Sequence, residues 1–327
     1  MELTYRPRRL RRTPALRAMV REHSLSAADF IYPLFVHEGD GVEPIAAMPG
    51  ASRWSLSALM GEVQRAWDLG VRCIVLFPKV SEELKTEDGA ECFNENGLIP
   101  RAIRQIKAAI PQMAIMTDVA LDPYSCDGHD GIVSEHGVVL NDETIEQLCK
   151  QAVVQARAGA DLIGPSDMMD GRVGAIRAAL DSEGFENVRI MSYAAKYASS
   201  LYSPFRDAVG STTNLNGANK NTYQMDPANS DEALREVALD IEEGADMLMV
   251  KPGLFYLDIL QRIKETFAMP TFAYQVSGEY AMLKVAGQQG LVDGEQTLRE
   301  ALLAFKRAGA NGILTYAALE TAKKLAN

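Results

Sequence analysis

A chain of 327 residues with 47% hydrophobic and 24% charged side chains has ordinary globular composition, which excludes collagen-like, coiled-coil and wholly disordered molecules. Its net charge of −11 argues against nucleic acid as the main partner, and no apolar run approaches the ~18 residues that would place it in a membrane. Cys73, Cys92, Cys126 and Cys149 show no CxxC spacing, so a reducing compartment fits better than a disulfide framework and a cytoplasmic location is expected.

The chain opens on a basic stretch. Residues 6–12 read RPRRLRR, with five arginines and no acid. No apolar h-region follows the first residues, so a secretory signal is not expected. The stretch is either a solvated terminus or an arm that docks on an acidic neighbouring subunit. Beyond it, short apolar runs fall at 30–36, 73–77, 114–118, 161–164, 189–193, 246–250, 271–275 and 312–316. Amphipathic stretches of helical period lie between most of them, such as 57–69, 144–158, 232–243 and 294–308. Near-continuous apolar runs alternating with helices predict parallel strands buried on both faces.

One junction recurs in the phrases DLGVRCIVLF, RAGADLIGP, EEGADMLMVKP and RAGANGILTY. Gly70, Gly159, Gly244 and Gly309 each end a helix and lead into a strand, as a helix C′ residue of positive φ requires. Eight strands with this junction predict an α/β fold, a closed (β/α)8 TIM-type barrel over residues 29–327 with an extended arm over 1–28. A doubly wound open sheet is the alternative, weakened by the absence of GxGxxG after a strand.

Function in such a barrel sits where the strands end. The positions at or just past each run are Phe77-Pro78, Asp118, Pro165-Ser166-Asp167, Lys196, Lys251, Ser277 and Tyr316, so two lysines, an aspartate, a serine and a tyrosine converge on one rim. Lys251 directly follows DMLMV. Burying an ammonium is costly, and desolvation frees the amine as a nucleophile for Schiff-base chemistry. The alternative is a lysine whose head snorkels to solvent. Lys196 in MSYAAKYASS is either a second such amine or a lysine on a first helical turn. Two close ammonium groups would depress each other's pKa.

The segment SSLYSPFRDAVGSTTNLNGANKNTYQMDPAN is longer than an ordinary loop of this kind. It is either a surface insertion or a lid, about residues 197–228, that turns Arg206 and Lys220 inward as carboxylate binders. The loop DVALDPYSCDGHDG carries Asp118, Asp122, Asp127, Asp130 and His129. It would hold a hard cation, supply acid–base groups, or be a solvated acidic turn. His23, His37 and His136 are isolated, and the 14 methionines read as core filler. No P-loop, nucleophile elbow or HExxH occurs.

The phrases MSYAAKYASS, YSPFRDA, TYQMDPAN, GADMLMVKPG, YQVSGEYAM and DVALDPYSCDGHDG together resemble the porphobilinogen synthase (5-aminolevulinate dehydratase) family along essentially the whole chain. The resemblance implies condensation of two 5-aminolevulinate molecules to porphobilinogen with loss of two waters, in tetrapyrrole (haem and chlorophyll) synthesis. It implies Schiff bases on Lys196 for the P-side substrate and Lys251 for the A-side substrate, with Asp118 as the acid–base group. Arg206, Lys220 and Gln224 match the P-side carboxylate binders, and Ser277 and Tyr316 the A-side ones. A homo-octamer assembled through the arm is implied as well.

The chain departs from the zinc-dependent branch, whose three cysteines correspond here to Ala120, Asp122 and Asp130. No thiolate zinc site is therefore expected, and oxygen ligands favour Mg²⁺ or a monovalent cation. The resemblance to the magnesium-responsive branch implies an allosteric Mg²⁺ site at Glu236. Whether Asp122 and Asp130 hold a metal directly stays open. The competing reading is another class I aldolase-type barrel, which accounts for one lysine but not for the second lysine motif or a lid with two cations.

Overall fold

In the computed structural model, residues 3–210 and 220–326 are described. Their strands are β1 (Phe30–His37), β2 (Val42–Pro44), β3 (Ser52–Ser55), β4 (Cys73–Lys79), β5 (Ala114–Val119), β6 (Leu162–Pro165), β7 (Arg189–Lys196), β8 (Met247–Lys251), β9 (Thr271–Gln275) and β10 (Gly312–Thr315). Eight of these, β1 and β4 to β10, are parallel neighbours in chain order, and β10 pairs back onto β1 at Phe30↔Ile313 and Ile31↔Leu314. The sheet is closed, so the barrel expectation holds and the open-sheet alternative falls. The expected helices lie at Leu56–Asp68, Asn141–Ala158, Asp231–Glu242 and Gly294–Arg307. Gly70, Gly159, Gly244 and Gly309 have φ of 88°, 112°, 105° and 103°, and each stands three residues before its strand.

Alternation along the strands sorts side chains into two shells. Ile31, Phe35, Val75, Phe77, Met116, Met191, Tyr193, Met249, Tyr274 and Leu314 fill the barrel interior. Leu34, Val36, Ile74, Leu76, Ile115, Ile163, Ile190 and Leu248 pack outward against the helices. Three methionines thus serve as interior filler, as the composition predicts. Gly164 has a specific reason: a Cβ there would lie 2.5 Å from Met116 Cε and 2.9 Å from the Thr117 carbonyl.

Two features were not readable from apolar runs. The hairpin β2–β3 is too short and polar to register, yet β3 pairs with the end of β1 through Phe35↔Arg53, Val36↔Trp54 and His37↔Ser55. The other is at β7, which does not stop at Tyr193. A register shift between Ser192 and Ala195 extends it to Lys196, through two alanines with little strand preference of their own.

The N-terminal segment carries a short turn at Pro7–Arg11 and a helix at Pro14–Met19, capped by the Thr13 hydroxyl, and neither has a buried residue. Residues 1 and 2 of the expected arm, and 211–219 in the middle of the expected lid, lie outside the described residues.

Candidate active site

The bulge in β7 sets the site, because it brings Lys196 directly opposite Lys251 in the β7–β8 ladder. Both lysines are buried. The chain returns beside the end of β7: Met225 N donates to the Lys196 carbonyl at 3.0 Å and Ala198 N to the Met225 carbonyl at 2.9 Å. That return brings Lys220 and Gln224 to the barrel mouth.

Each lysine has its own surroundings. Lys196 Nζ lies 3.1 Å from Asp130 Oδ2 and also donates to the Ser166 carbonyl. Lys220 Nζ donates to Asp130 Oδ1 at 2.7 Å and lies 3.8 Å from Asp122 Oδ2, and Gln224 Nε2 donates to Asp130 Oδ2 at 3.3 Å. Burial pushes the Asp130 carboxyl up, but the Lys196 and Lys220 ammoniums outweigh it and hold the group well below the usual carboxylate range. The loop is braced to permit this: Leu121 N donates to the Asp130 carbonyl, and Asp130 N to the Tyr223 hydroxyl. The Lys196 and Lys220 ammoniums thus face Asp130, and Lys220 also faces Asp122. The Ser166 turn is braced from below by buried Arg172, whose guanidinium lies 3.6 Å from Asp167 and 3.3 Å from Asp240.

Lys251 has an aromatic cage instead. Its Nζ lies 4.9–5.3 Å from the ring centroids of Tyr274, Tyr193, Tyr202 and Phe205. Burial, then the Lys196 charge, lowers its pKa to about 7, against partial compensation by Asp118, Asp130 and Asp122. Near neutral pH a large fraction of this amine is uncharged and nucleophilic. On the same side, the Tyr274 and Tyr316 hydroxyls are 2.7 Å apart, and Ser277 Oγ accepts from Phe205 N at 2.9 Å.

Asp118 is the penultimate residue of β5 and feels the charge of both lysines. Burial raises its pKa to about 6, against Lys251 and Lys196 and with help from Asp122. A carboxyl titrating there can both take and return a proton near neutral pH. Asp118 and the buried Tyr193 hydroxyl are neighbours: burial, then the Asp118 charge, raises the Tyr193 pKa. Arg206, on the helix Ser203–Val209, is close enough to oppose the charge of Lys220.

Every expected residue except Glu236 therefore gathers at one barrel mouth. Glu236 lies away from it, in a cleft of about 460 Å³ that reaches Tyr223, Gln224 and Met225. Tyr193, Tyr202, Phe205 and Tyr274 were not singled out from sequence, whereas Ser166 stands among the strand-end positions. The period of two along β7 and β9 could have placed Tyr193 and Tyr274 in the interior.

The fold and site define a (β/α)8 barrel enzyme equipped with two amines for carbonyl chemistry. The family model for delta-aminolevulinic acid dehydratase matches residues 4–324. The chloroplastic delta-aminolevulinic acid dehydratase of Glycine max is 58% identical, over 99% of this chain and 79% of its own length. That of Bradyrhizobium diazoefficiens is 55% identical, over 99% of this chain and 92% of its own. A crystal structure of delta-aminolevulinic acid dehydratase (porphobilinogen synthase) from Toxoplasma gondii, in complex with the reaction product porphobilinogen, superposes with a TM-score of 0.97 at 52% identity, covering 98% of this chain and 92% of that one. The chain belongs to the delta-aminolevulinic acid dehydratase family and is a lyase. That membership, over nearly the whole chain, replaces the reading as some other aldolase-type barrel.

The cytoplasmic expectation is corrected by the same comparisons: the similar relatives from Glycine max, Oryza sativa and Arabidopsis thaliana are chloroplastic proteins. Cys73, Cys92, Cys126 and Cys149 are free, and free cysteines do not single out a compartment. No helix of the described residues is long and apolar enough to cross a membrane.

Proposed function

We propose that this chain joins two 5-aminolevulinate molecules into porphobilinogen, with loss of two waters, through Schiff bases on Lys196 and Lys251. The observation that carries the reading is the pairing of the two lysines across adjacent strands, with separate surroundings for each. An amine adds to the substrate ketone, and loss of water gives an iminium that acidifies the neighbouring carbon and accepts a nucleophile. Two amines side by side hold both substrates in contact, so C–C and C–N bond formation become near-unimolecular.

Lys251, with its lowered pKa, is suited to take the A-side ketone, with Ser277 and Tyr316 beside it for the carboxylate. Lys196 takes the P-side ketone, with Arg206, Lys220 and Gln224 for that carboxylate. Asp118, which feels the charge of both and titrates near 6, moves the protons. Supplying 5-aminolevulinate should yield one porphobilinogen for every two molecules consumed, and no product from the pure protein would refute the reading.

The acidic lining of the cleft at Glu236 supports a hydrated hard cation there. The cleft presents the carboxylates of Asp170, Asp226, Glu232 and Glu236 and the amides of Asn141 and Asn229. Burial and Asp240 raise the Glu236 pKa despite Arg172, and a bound cation would relieve that cost. No group of three His, Cys, Asp or Glu side chains among the described residues is disposed to chelate a metal, so Mg²⁺ here would keep much of its water. The cleft adjoins the segment bearing Lys220 and Gln224, which gives an allosteric Mg²⁺ a route to the site. Glu236→Ala should abolish stimulation by Mg²⁺ while leaving basal turnover, and stimulation that persists would remove the assignment. Activity is likewise expected to survive a zinc-selective chelator. The exposed arginine-rich arm, with Tyr5, Leu10 and Met19 also exposed, supports self-assembly of an otherwise acidic chain into a homo-octamer.

A further inference from the structure

The helix Ser203–Val209 carries two groups that matter to the chemistry, Phe205 and Arg206. It is seven residues long, too short to be stable by itself. Its last carbonyls have no partners within the helix. The cap residue Gly210 donates its N–H to the Arg206 and Asp207 carbonyls, and cations from two other parts of the chain meet the carbonyls at this end as well. Arg53, on β3, donates from Nε to the Ala208 carbonyl at 2.6 Å and from Nη2 to the Asp207 carbonyl at 2.7 Å. Lys85, after β4, donates from Nζ to the Gly210 carbonyl at 3.0 Å. Both cations are backed by carboxylates, Arg53 by Glu43 at 3.6 Å and Lys85 by Glu82 at 2.6 Å. The Lys85 side chain is only 1% exposed. An ammonium is not buried cheaply, so a buried lysine spent on a main-chain carbonyl calls for a reason.

The other end of the helix supplies it. Phe205 packs on Phe35 and Phe77 at ring distances of 5.7 and 5.1 Å and lies over the Lys251 amine. Its amide is fixed by the Ser277 hydroxyl. We propose that Arg53 and Lys85 are positioning residues of the dehydratase: together they clamp the C-terminal carbonyls of helix Ser203–Val209, and thereby hold Phe205 over Lys251 and Arg206 beside Lys220. The proposal rests on the two-lysine reading above, and neither cation touches the amine itself.

Lys251 is faced by Lys196 and Tyr193 from β7, Asp118 from β5, Asp122 and Asp130 from the following loop, Tyr274 from β9, and Tyr202 and Phe205 from the clamped segment. Of these only Phe205 lies on the helix itself; Tyr202 stands just before it and its hydroxyl donates to the Tyr197 and Lys251 carbonyls. Releasing the clamp admits water to the amine and raises its pKa toward that of a free lysine. The test is Arg53→Gln combined with Lys85→Met, with Lys85→Arg as the conservative control. Competitive labelling by acetic anhydride, read at the Lys251 peptide across pH, needs no substrate and no turnover.

The double variant is expected to titrate about one pH unit higher, which leaves roughly five-fold less neutral amine at pH 7. The KM for 5-aminolevulinate should rise with it, and Lys85→Arg should keep the wild-type profile. An unchanged Lys251 labelling profile in a folded double variant overturns the proposal. If the double variant does not fold, Lys85→Met alone is read by the same criterion. A wild-type protein that makes no porphobilinogen would overturn the functional reading instead, and the labelling would still decide the clamp.

Discussion

Lys251→Met should abolish porphobilinogen formation while raising stability. Turnover is expected to fall by at least about four orders of magnitude, as for removal of a covalent nucleophile. Stability should move the other way. Burial lowers the Lys251 pKa from its ordinary 10.5 to about 7, so the unfolded chain binds this proton more readily than the folded one. The fold therefore bears a cost that is full below pH 7 and disappears as the pH rises toward 10.5. Methionine fills the same cage of rings without that cost, a gain on the order of a few kcal/mol near neutral pH. Thermal melts at pH 6.5 and 9.5 check it: the variant should melt higher than wild type, and by more at the lower pH. A variant that melts lower at both would show that the cation–ring contacts outweigh desolvation. One that still makes porphobilinogen would remove Lys251 from the mechanism.

Asp130→Asn should damage both properties. The Asp130 carboxylate faces Lys196 and Lys220 at 3.1 and 2.7 Å, and all three side chains are buried. Taking away one member of such a group strands the others, at a cost of about 3–5 kcal/mol. Lys220, whose pKa is raised largely by Asp130 against its burial, would lose its principal partner. The sign with pH is fixed by the depressed Asp130 pKa. Its contribution is complete above the ordinary carboxylate value of about 4 and is lost as the pH falls through the folded-state value. The gap between wild-type and variant melting temperatures should therefore be wide at pH 7 and narrow under strong acid. A loss of 10²–10⁴-fold in kcat/KM is expected with it. Wild-type melting at pH 7 would show that Asp130 is not the anchor of the two ammoniums.

The strands of the barrel were legible because parallel strands covered by helices must be apolar on both faces, and the runs at 73–77 and 246–250 are. Gly159 and Gly244 marked the turns into them because only glycine takes their positive φ without strain. Lys251 stood out because it follows such a run without a break. Lys196 was harder to place: its strand continues through Ala194 and Ala195, which have no apolar signature, and only the bulge sets it opposite Lys251.

Asp130 is visible in the sequence as a loop carboxylate, open to a cation, to acid–base work or to a solvated turn. The signal for its actual partners was indirect, since two buried lysines at one rim require a buried counter-charge. Arg53 and Lys85 carried no local signal at all. Their partners are main-chain carbonyls more than 100 residues away in the chain, and such a contact leaves no trace in spacing or composition.

The central claim is that both lysines bond covalently to substrate. The most direct measurement is to incubate the protein with 5-aminolevulinate, reduce with borohydride and map the modified peptides. The two-lysine mechanism predicts reduced adducts on Lys196 and on Lys251 and at no other lysine. Adducts at neither, with porphobilinogen still being formed, would contradict it.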